Sequence, residues 1–104
     1  MKGVHIGQEV REYLLHIVEA TRKNAKLKLG VSTRGTLAFM RACQSLAAIR
    51  GRNYVIPEDI KYLAPFVLEH RLVLAGGYLR TAEQKAIMDS ILSSVEVPTE
   101  NFVS

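Results

Sequence analysis

The chain has 104 residues, of which 48% are hydrophobic and 23% charged, and its formal net charge is +4. This length is enough for one domain with a core but not for two, and no long uncharged apolar run is available to span a bilayer. The first residues lack the apolar segment of a signal peptide, and the single cysteine, Cys43, cannot form an internal disulfide. We therefore expect one cytoplasmic domain over residues 1–104, with a disordered tail from about residue 99.

The basic residues are concentrated in one stretch of the chain. No acidic residue occurs from Ala20 to Pro57, and the lysines and arginines of this stretch are Arg22, Lys23, Lys26, Lys28, Arg34, Arg41, Arg50 and Arg52. A patch of one sign favours an anionic partner such as a nucleotide, a nucleic acid or an acidic protein surface. The alternative is a solvated face that nearby carboxylates neutralise, and both interpretations stay open at this point. The carboxylates available for that role are Glu9, Glu12, Glu19, Glu58 and Asp59.

The N-terminal third predicts an extended lead-in followed by a helix. Val4 and Ile6 alternate with other residues, which is typical of a short edge strand. From about Gln8 to Arg22, apolar residues recur at three- and four-residue steps and predict a helix with one face in the core. The predicted inward positions are Val10, Tyr13, Leu14, Ile17, Val18 and Thr21. Residues 24–29 then predict a connection whose leucines reach the core.

A short turn, Gly30-Val31-Ser32-Thr33-Arg34-Gly35, precedes the longest predicted helix. Gly30 shapes the turn, and Ser32 is expected to cap the helix by accepting a hydrogen bond from a free backbone N–H. Arg34 then lies in the first turn, where the helix dipole disfavours a cation by about 0.3–1 kcal/mol. A bound phosphate would reverse that cost, because backbone N–H groups and a guanidinium both bind anions. The alternative is a surface arginine paired with a nearby carboxylate.

The helix after this turn is predicted to run from residue 33 to about Arg50 and to end at Gly51, which suits a left-handed backbone. Its apolar residues lie nearly all round the helix. We therefore expect it to be central and to be packed by the other helices. Its exposed side is marked by Arg34, Arg41 and Ser45.

A third helix is predicted to begin at Pro57. Proline suits the first helical position, and Glu58 and Asp59 complement the dipole in the first turn. Ile56, just before it, has no side-chain acceptor for a cap. Pro65 should kink this helix or divide it into two pieces. Its predicted inward positions are Ile60, Leu63, Ala64, Val67 and Leu68.

The last third predicts an extended segment and a fourth helix. His70 to Leu74 is an apolar extended run closed by Gly76-Gly77, and Thr81 with Gln84 has the spacing of a capping box. The inward stripe of the fourth helix is Ile87, Met88, Ile91, Leu92 and Val95, with Pro98 ending the helix. The predicted fold class is therefore all-α, with four main helices joined by short extended connecting segments.

Several kinds of active site have no support in the sequence. There is no Gly-x-x-x-x-Gly-Lys-Ser/Thr phosphate loop and no nucleophile elbow. The three histidines, His5, His16 and His70, lie far apart and do not have the spacing of metal ligands. We expect no catalytic residue and no metal ligand in this chain. The residues expected in the core or at its edge instead are Cys43, Tyr13, Phe39, Met40, Tyr54, Tyr62 and Phe66.

Four stretches of the chain resemble the C-terminal lid domain of MoxR-type AAA+ ATPases. They are Gly30–Gly35, Gly51–Ile60, Leu63-Ala64-Pro65 and Val67–Leu72. The resemblance extends from Ala20-Thr21-Arg22 to Val95-Glu96-Val97-Pro98, and the order and spacing of its parts make it specific.

By this resemblance, Arg34 is the sensor 2 arginine, which reaches into the nucleotide site of the preceding ATPase core and contacts the terminal phosphates. Gly30 and Ser32 belong to the turn that precedes it. The sequence departs from the family pattern at Val31 and Thr33, where alanine and proline are usual. A third departure is Ile56, where the family often has a threonine cap.

The resemblance also implies a function within a longer protein. ATP and Mg²⁺ would bind to the parent protein, whereas the isolated lid needs no cofactor and performs no catalysis. The implied partners are the N-terminal AAA+ core of the same chain, neighbouring subunits of a hexameric ring, and client or von Willebrand A-type proteins. The implied activity is ATP-driven, chaperone-like remodelling, or metal insertion and maturation of client proteins.

The alternative function is a small basic helical module that binds nucleic acid through the stretch from Arg22 to Arg52. It predicts binding that weakens steeply with salt. The sequence has no helix rich in exposed Asn, Gln and Arg, so the lid is the preferred interpretation. No membrane partner is expected.

Overall fold

The computed structural model of the chain describes residues 3–74 and 81–99. Four α-helices make up most of the fold, and a two-stranded antiparallel ribbon and one 3₁₀ turn connect them. In chain order the elements are α1 (Gln8–Lys23), β1 (Leu27–Leu29), α2 (Thr33–Ile49), α3 (Pro57–Val67), the 3₁₀ turn (Glu69–Arg71), β2 (Val73–Leu74) and α4 (Thr81–Ser94). The predicted four-helix class is confirmed.

Helix α1 forms one side of the core. Every position of its predicted stripe is buried, from Val10 to Thr21. The segment before α1 is extended, as predicted: the N–H of His5 donates to the carbonyl of Asn53 at 2.8 Å, and the N–H of Val55 donates to the carbonyl of His5 at 2.9 Å. The N-terminal segment is thereby fastened to the connection between α2 and α3.

The predicted connection after α1 and the predicted extended run before α4 pair with each other. In the β1–β2 ribbon, Leu27 lies opposite Leu74 and Leu29 opposite Val73. The extended run is shorter than predicted, because His70 and Arg71 belong to the 3₁₀ turn that continues α3. The glycine pair predicted to close it, residues 76–77, lies outside the described residues, as do residues 100–104 of the predicted tail.

Helix α2 has the predicted bounds but not the predicted environment. Its buried face consists of Gly35, Thr36, Phe39, Cys43 and Ala47. Two large apolar side chains of α2 are not covered: Leu37 is 49% exposed and Ile49 is 82% exposed. The expectation of a central helix packed by the other helices therefore holds for one face of α2: α1 and α3 contact it, whereas Leu37 and Ile49 are exposed.

Helix α3 is not divided at Pro65. The α-helix continues to Val67, and the N–H of Leu68 still donates to the carbonyl of Ala64 at 2.9 Å before the 3₁₀ turn begins. Tyr62 and Phe66 are also not core residues, since they are 52% and 67% exposed and contact each other in a tilted arrangement with ring centroids 5.4 Å apart. Both side chains project from the outer face of α3.

Helix α4 closes the core with Ile87, Met88 and Ile91. The helix begins at Thr81, and the side-chain amide of Gln84 donates to the carbonyl of Leu72 at 2.8 Å; the Thr81 side chain of the predicted capping box lies outside the described part of the chain. The helix also ends at Ser94, well before Pro98. Within residues 3–74 and 81–99, no helix is long and apolar enough to cross a membrane.

Candidate functional site

The turn before α2 has the geometry that its sequence predicts. Ser32 has extended backbone angles and is the N-cap, and its hydroxyl accepts a hydrogen bond from the N–H of Gly35 at 3.1 Å. The hydroxyl of Thr36 donates to the carbonyl of Ser32 at 2.9 Å. These bonds define where α2 begins, and they place Arg34 at the second helical position.

Two side chains of α1 fasten this turn to the core. The buried hydroxyl of Thr21 accepts a hydrogen bond from the N–H of Val31 at 3.0 Å and donates to the carbonyl of Val18 at 2.6 Å. The Nε of Arg22 donates to the carbonyl of Val31 at 2.9 Å. Both backbone polar groups of Val31 are therefore satisfied by the last turn of α1, which fixes the start of α2 relative to it.

Gly30 is required by the close approach of two backbones. A Cβ atom at this position would lie 2.6 Å from the carbonyl carbon of Thr21 and 2.7 Å from the nitrogen of Arg22. Real Cβ atoms do not approach backbone so closely, so any other residue would push the turn away from α1. Gly30 thus shapes the turn by its lack of volume.

Arg34 is exposed and carries an unneutralised charge. It makes no ion pair with any carboxylate in the described part of the chain, so the alternative of a salt-bridged surface arginine has no support there. The positive end of the helix dipole makes this an unfavourable place for a cation and a favourable one for an anion. The three residues singled out by sequence, Gly30, Ser32 and Arg34, form one continuous structure.

The opposite end of α2 is arranged differently. The carboxylate of Asp59 is fully buried and accepts two hydrogen bonds from Arg52, at 2.8 and 2.7 Å. Arg50 lies 3.5 Å from the same carboxylate. The hydrogen bonds to Asp59 raise the pKa of Arg52 above its ordinary value. Two arginines of the basic stretch are therefore paired with one buried carboxylate, which reduces the free positive charge that a nucleic-acid module would need.

Asp59 also compensates for the missing cap of α3. Its Oδ2 accepts a hydrogen bond from the N–H of Ile56 at 3.0 Å, so a free backbone donor at the start of the helix is satisfied although Ile56 has no acceptor. The guanidinium of Arg50 lies over the ring of Tyr62, 5.1 Å from its centroid. Sequence reasoning placed Asp59 in the first turn of α3 but missed its pairing with Arg52.

The other polar candidates of the sequence include Cys43 and His16. The thiol of Cys43 is buried, as predicted, and burial raises its pKa to about 12, which makes the thiolate inaccessible at neutral pH. Among residues 3–74 and 81–99, no three His, Cys, Asp or Glu side chains are grouped closely enough to hold a metal ion. His16 is exposed on α1.

The sequence profile of the AAA lid domain family matches residues 19–94, which include the turn, all of α2 and α3, and all of α4. The chain belongs to the AAA lid domain family. The matched region begins just before Thr21 and Arg22, so it includes the anchoring contacts as well as Arg34 itself.

Individual relatives agree with this assignment. The lid chain is 41% identical to the protein YeaC of Bacillus subtilis (strain 168). The match covers 96% of this chain and 32% of YeaC. It is 36% identical to "Chaperone MoxR1" of Mycobacterium tuberculosis, in a match that covers 88% of this chain and 27% of that protein. A crystal structure of a "putative ATPase" from Cytophaga hutchinsonii superposes with a TM-score of 0.81 at 31% identity, over 93% of this chain and 32% of that one.

These matches confirm the resemblance to lid domains of the MoxR type. The lid chain spans about a third of the length of the relatives it matches. Thr21 and Arg22 were not identified as contact residues from the sequence, since their partner Val31 lies 9 to 10 positions away with no local pattern that pairs them. Asp59 was named only as one of five carboxylates that could neutralise the basic stretch, and it is the one that pairs with Arg52.

Proposed function

We propose that this lid domain belongs to a longer AAA+ ATPase and that Arg34 is its sensor 2 residue, contacting the terminal phosphates of ATP bound to the ATPase core. The observation that carries the proposal is the exposed guanidinium of Arg34, unpaired among the described residues, in the first turn of a helix that α1 holds in place. Membership of the AAA lid domain family supports it.

The electrostatics of the turn fit a phosphate ligand. The unfavourable interaction of Arg34 with the dipole of α2 costs about 0.3–1 kcal/mol, and an anion at the same place removes that cost. A hydrogen bond to a charged group contributes about 1.5–3 kcal/mol. Arg34 thus lowers the stability of the free lid slightly, and its hydrogen bond to a bound phosphate contributes more free energy than that cost.

The anchoring of the turn lets the domain respond as one body. Because Thr21 and Arg22 tie Val31 to α1, and α2 packs on α3, a displacement of Arg34 toward the nucleotide moves these helices together. We expect Arg34 to report the presence of the terminal phosphate in this way and to couple hydrolysis to rotation of the lid.

The remaining components belong to the rest of the longer protein. ATP and Mg²⁺ would be held chiefly by the N-terminal core, because one arginine and a helix N-terminus do not make a complete phosphoryl-transfer site. Neighbouring subunits of a ring, hexameric by the family resemblance, would contact the lid in the cytoplasm. The name "Chaperone MoxR1" supports remodelling or maturation of client proteins as the output, with von Willebrand A-type proteins as candidate partners.

The direct test is Arg34→Ala in the full-length protein. If Arg34 contacts the terminal phosphate, ATP turnover should fall roughly 10- to 100-fold, since the lost charged hydrogen bond is worth about 1.5–3 kcal/mol. Arg41→Ala, an exposed arginine farther along α2, is the matched control and should keep normal turnover. Equal turnover of the two variants would refute the sensor 2 assignment.

A second test uses the lid alone. The 104-residue chain should bind ATP only weakly, in the millimolar range or above, because the core supplies most of the contacts. Isothermal titration of the chain with ATP measures this. Tight, saturable binding would contradict the proposed division of the site between lid and core.

A further inference from the structure

A second arginine lies beside the same turn although it is distant in sequence. Arg71 ends the 3₁₀ turn that follows α3, and the aliphatic part of its side chain lies against Gly35 in the first turn of α2. The Cδ of Arg71 is 3.4 Å from the position that a Cβ would take on Gly35. Gly35 directly follows Arg34, so the fold brings the side chain of Arg71 next to the first turn that carries Arg34.

The position of Arg71 is fixed by two contacts. Its Nε donates a hydrogen bond to the carbonyl of Val67 at 3.0 Å, which uses one of the last free carbonyls of α3. Gly35 provides the room for its aliphatic part, and Val31 packs against the other side of the same space, with its Cγ1 3.0 Å from where a Cβ on Gly35 would lie. The guanidinium is therefore held by Nε, while Nη1 and Nη2 make no hydrogen bond to the described residues.

Neither arginine is neutralised. Within residues 3–74 and 81–99, no carboxylate forms an ion pair with Arg34 or Arg71. The side chain of Arg71 and the first turn of α2, which carries Arg34 and the positive end of a helix dipole, thus adjoin each other with no carboxylate paired to either arginine among the described residues. Such an arrangement favours a polyvalent anion over a single carboxylate, because a phosphate chain offers several charged oxygens to separate donors.

We propose that Arg71 is a second phosphate-contacting residue of this lid, acting with Arg34 on the triphosphate; the inference rests on the proposed sensor 2 function. Its anchored Nε leaves the two terminal nitrogens as a fixed pair of donors, which suits bidentate contact with phosphate oxygens. Lysine cannot reproduce this arrangement, since a single ammonium group cannot hold the Val67 carbonyl and present two further donors in a plane.

The experiment compares four variants of the full-length protein: Arg71→Ala, Arg71→Lys, Arg34→Ala and the control Arg41→Ala. Equilibrium affinities are measured with fluorescent ATP and ADP analogues at one fixed salt concentration, together with the thermal unfolding midpoint of each variant. Arg71→Ala should weaken binding of the ATP analogue about tenfold and that of the ADP analogue less than twofold, as expected for loss of one charged contact to the terminal phosphate. Arg71→Lys should recover little of the loss.

The outcomes separate this inference from the function on which it rests. If Arg34→Ala weakens ATP binding while Arg71→Ala behaves like Arg41→Ala, the role of Arg71 is refuted and sensor 2 stands. If neither variant has an effect, both proposals are refuted. If Arg71→Ala weakens ATP and ADP equally and lowers the unfolding midpoint, Arg71 has a structural role through Val67, and the inference is also refuted.

Discussion

The two ends of α2 carry the same residue type in opposite electrostatic situations. At the N-terminus, Arg34 and Arg71 have no carboxylate partner among the described residues. At the C-terminus, Arg50 and Arg52 share the buried carboxylate of Asp59. The difference teaches that a basic stretch in a sequence does not identify a ligand site; the distribution of the neutralising acids in the fold does.

The helix dipole reinforces this contrast. Cations are favourable at the C-terminal end of a helix and unfavourable at the N-terminal end. The arginines beyond Ile49 are thus stabilised by both the dipole and Asp59, whereas Arg34 opposes the dipole with no internal compensation. One end of α2 thus has internal charge partners, and the other end has none among the described residues.

The largest expected effect on stability is at the C-terminal end of α2, where Arg50 and Arg52 pair with Asp59. Asp59→Asn should lower the free energy of unfolding by about 3–5 kcal/mol, because it leaves the partly buried guanidinium of Arg52 without its counter-charge. Urea unfolding followed by circular dichroism measures the change. The control is Glu58→Gln, the adjacent but exposed acid, which should cost less than about 1 kcal/mol. Equal effects of the two variants would show that Asp59 is not a structural ion pair.

The glycines at the two ends should also respond differently. Gly30→Ala places a Cβ 2.6 Å from the backbone of Thr21 and should cost about 1–3 kcal/mol or more, as overpacking does. Gly51 has open space around it but a φ of +81°, so Gly51→Ala should cost about 1–2 kcal/mol through backbone strain alone. In the full-length protein, only Gly30→Ala should also reduce ATP turnover, because it displaces Arg34. Reduced turnover in both would contradict this separation.

Removing the Thr21 hydroxyl tests how the turn before α2 is anchored to α1. Thr21→Val leaves the buried N–H of Val31 without an acceptor and should cost about 1–3 kcal/mol. Thr21→Ser keeps the hydroxyl and should recover most of that loss. Amide hydrogen exchange at Val31 gives a local measurement, and it should accelerate in the valine variant only. Unchanged protection there would mean that the hydroxyl does not hold the turn.

The smallest effect has the opposite sign. Arg34→Gln should raise the stability of the isolated lid by about 0.3–1 kcal/mol, because a cation is removed from the positive end of α2. Arg41→Gln, in the middle of the helix, should change the unfolding midpoint in urea very little. A loss of stability on replacing Arg34 would indicate an internal partner and would weaken the comparison between the two ends.

The local features of this fold were predictable from the sequence. Helix periodicity identified the buried face of α1, and the Gly-x-Ser pattern identified the N-cap of α2, because these properties depend on residues within one or two turns. The arginine at the second helical position was also evident as an electrostatic anomaly. Recognition of the family depended on the same local patterns taken in order.

The non-local features were not predictable in the same way. Arg71 reaches Gly35 across more than thirty residues of chain, and the side chain of Gln84 donates to the carbonyl of Leu72, 12 positions earlier. The exposure of Leu37, Ile49 and Phe66 was missed because an apolar residue signals burial in a sequence whether or not the chain supplies a surface to cover it. Such contacts depend on which elements the tertiary fold brings together.

The length of α2 has a mechanical consequence. Its 17 residues, at about 1.5 Å each, form a rod of about 25 Å from the turn that carries Arg34 to the end next to Arg50. A tilt of about 10° at the Arg34 end therefore displaces the other end by roughly 4 Å, in proportion to that length. Because Asp59 binds Arg52 to the first turn of α3, the amplified displacement is passed to a second helix without a flexible joint between them.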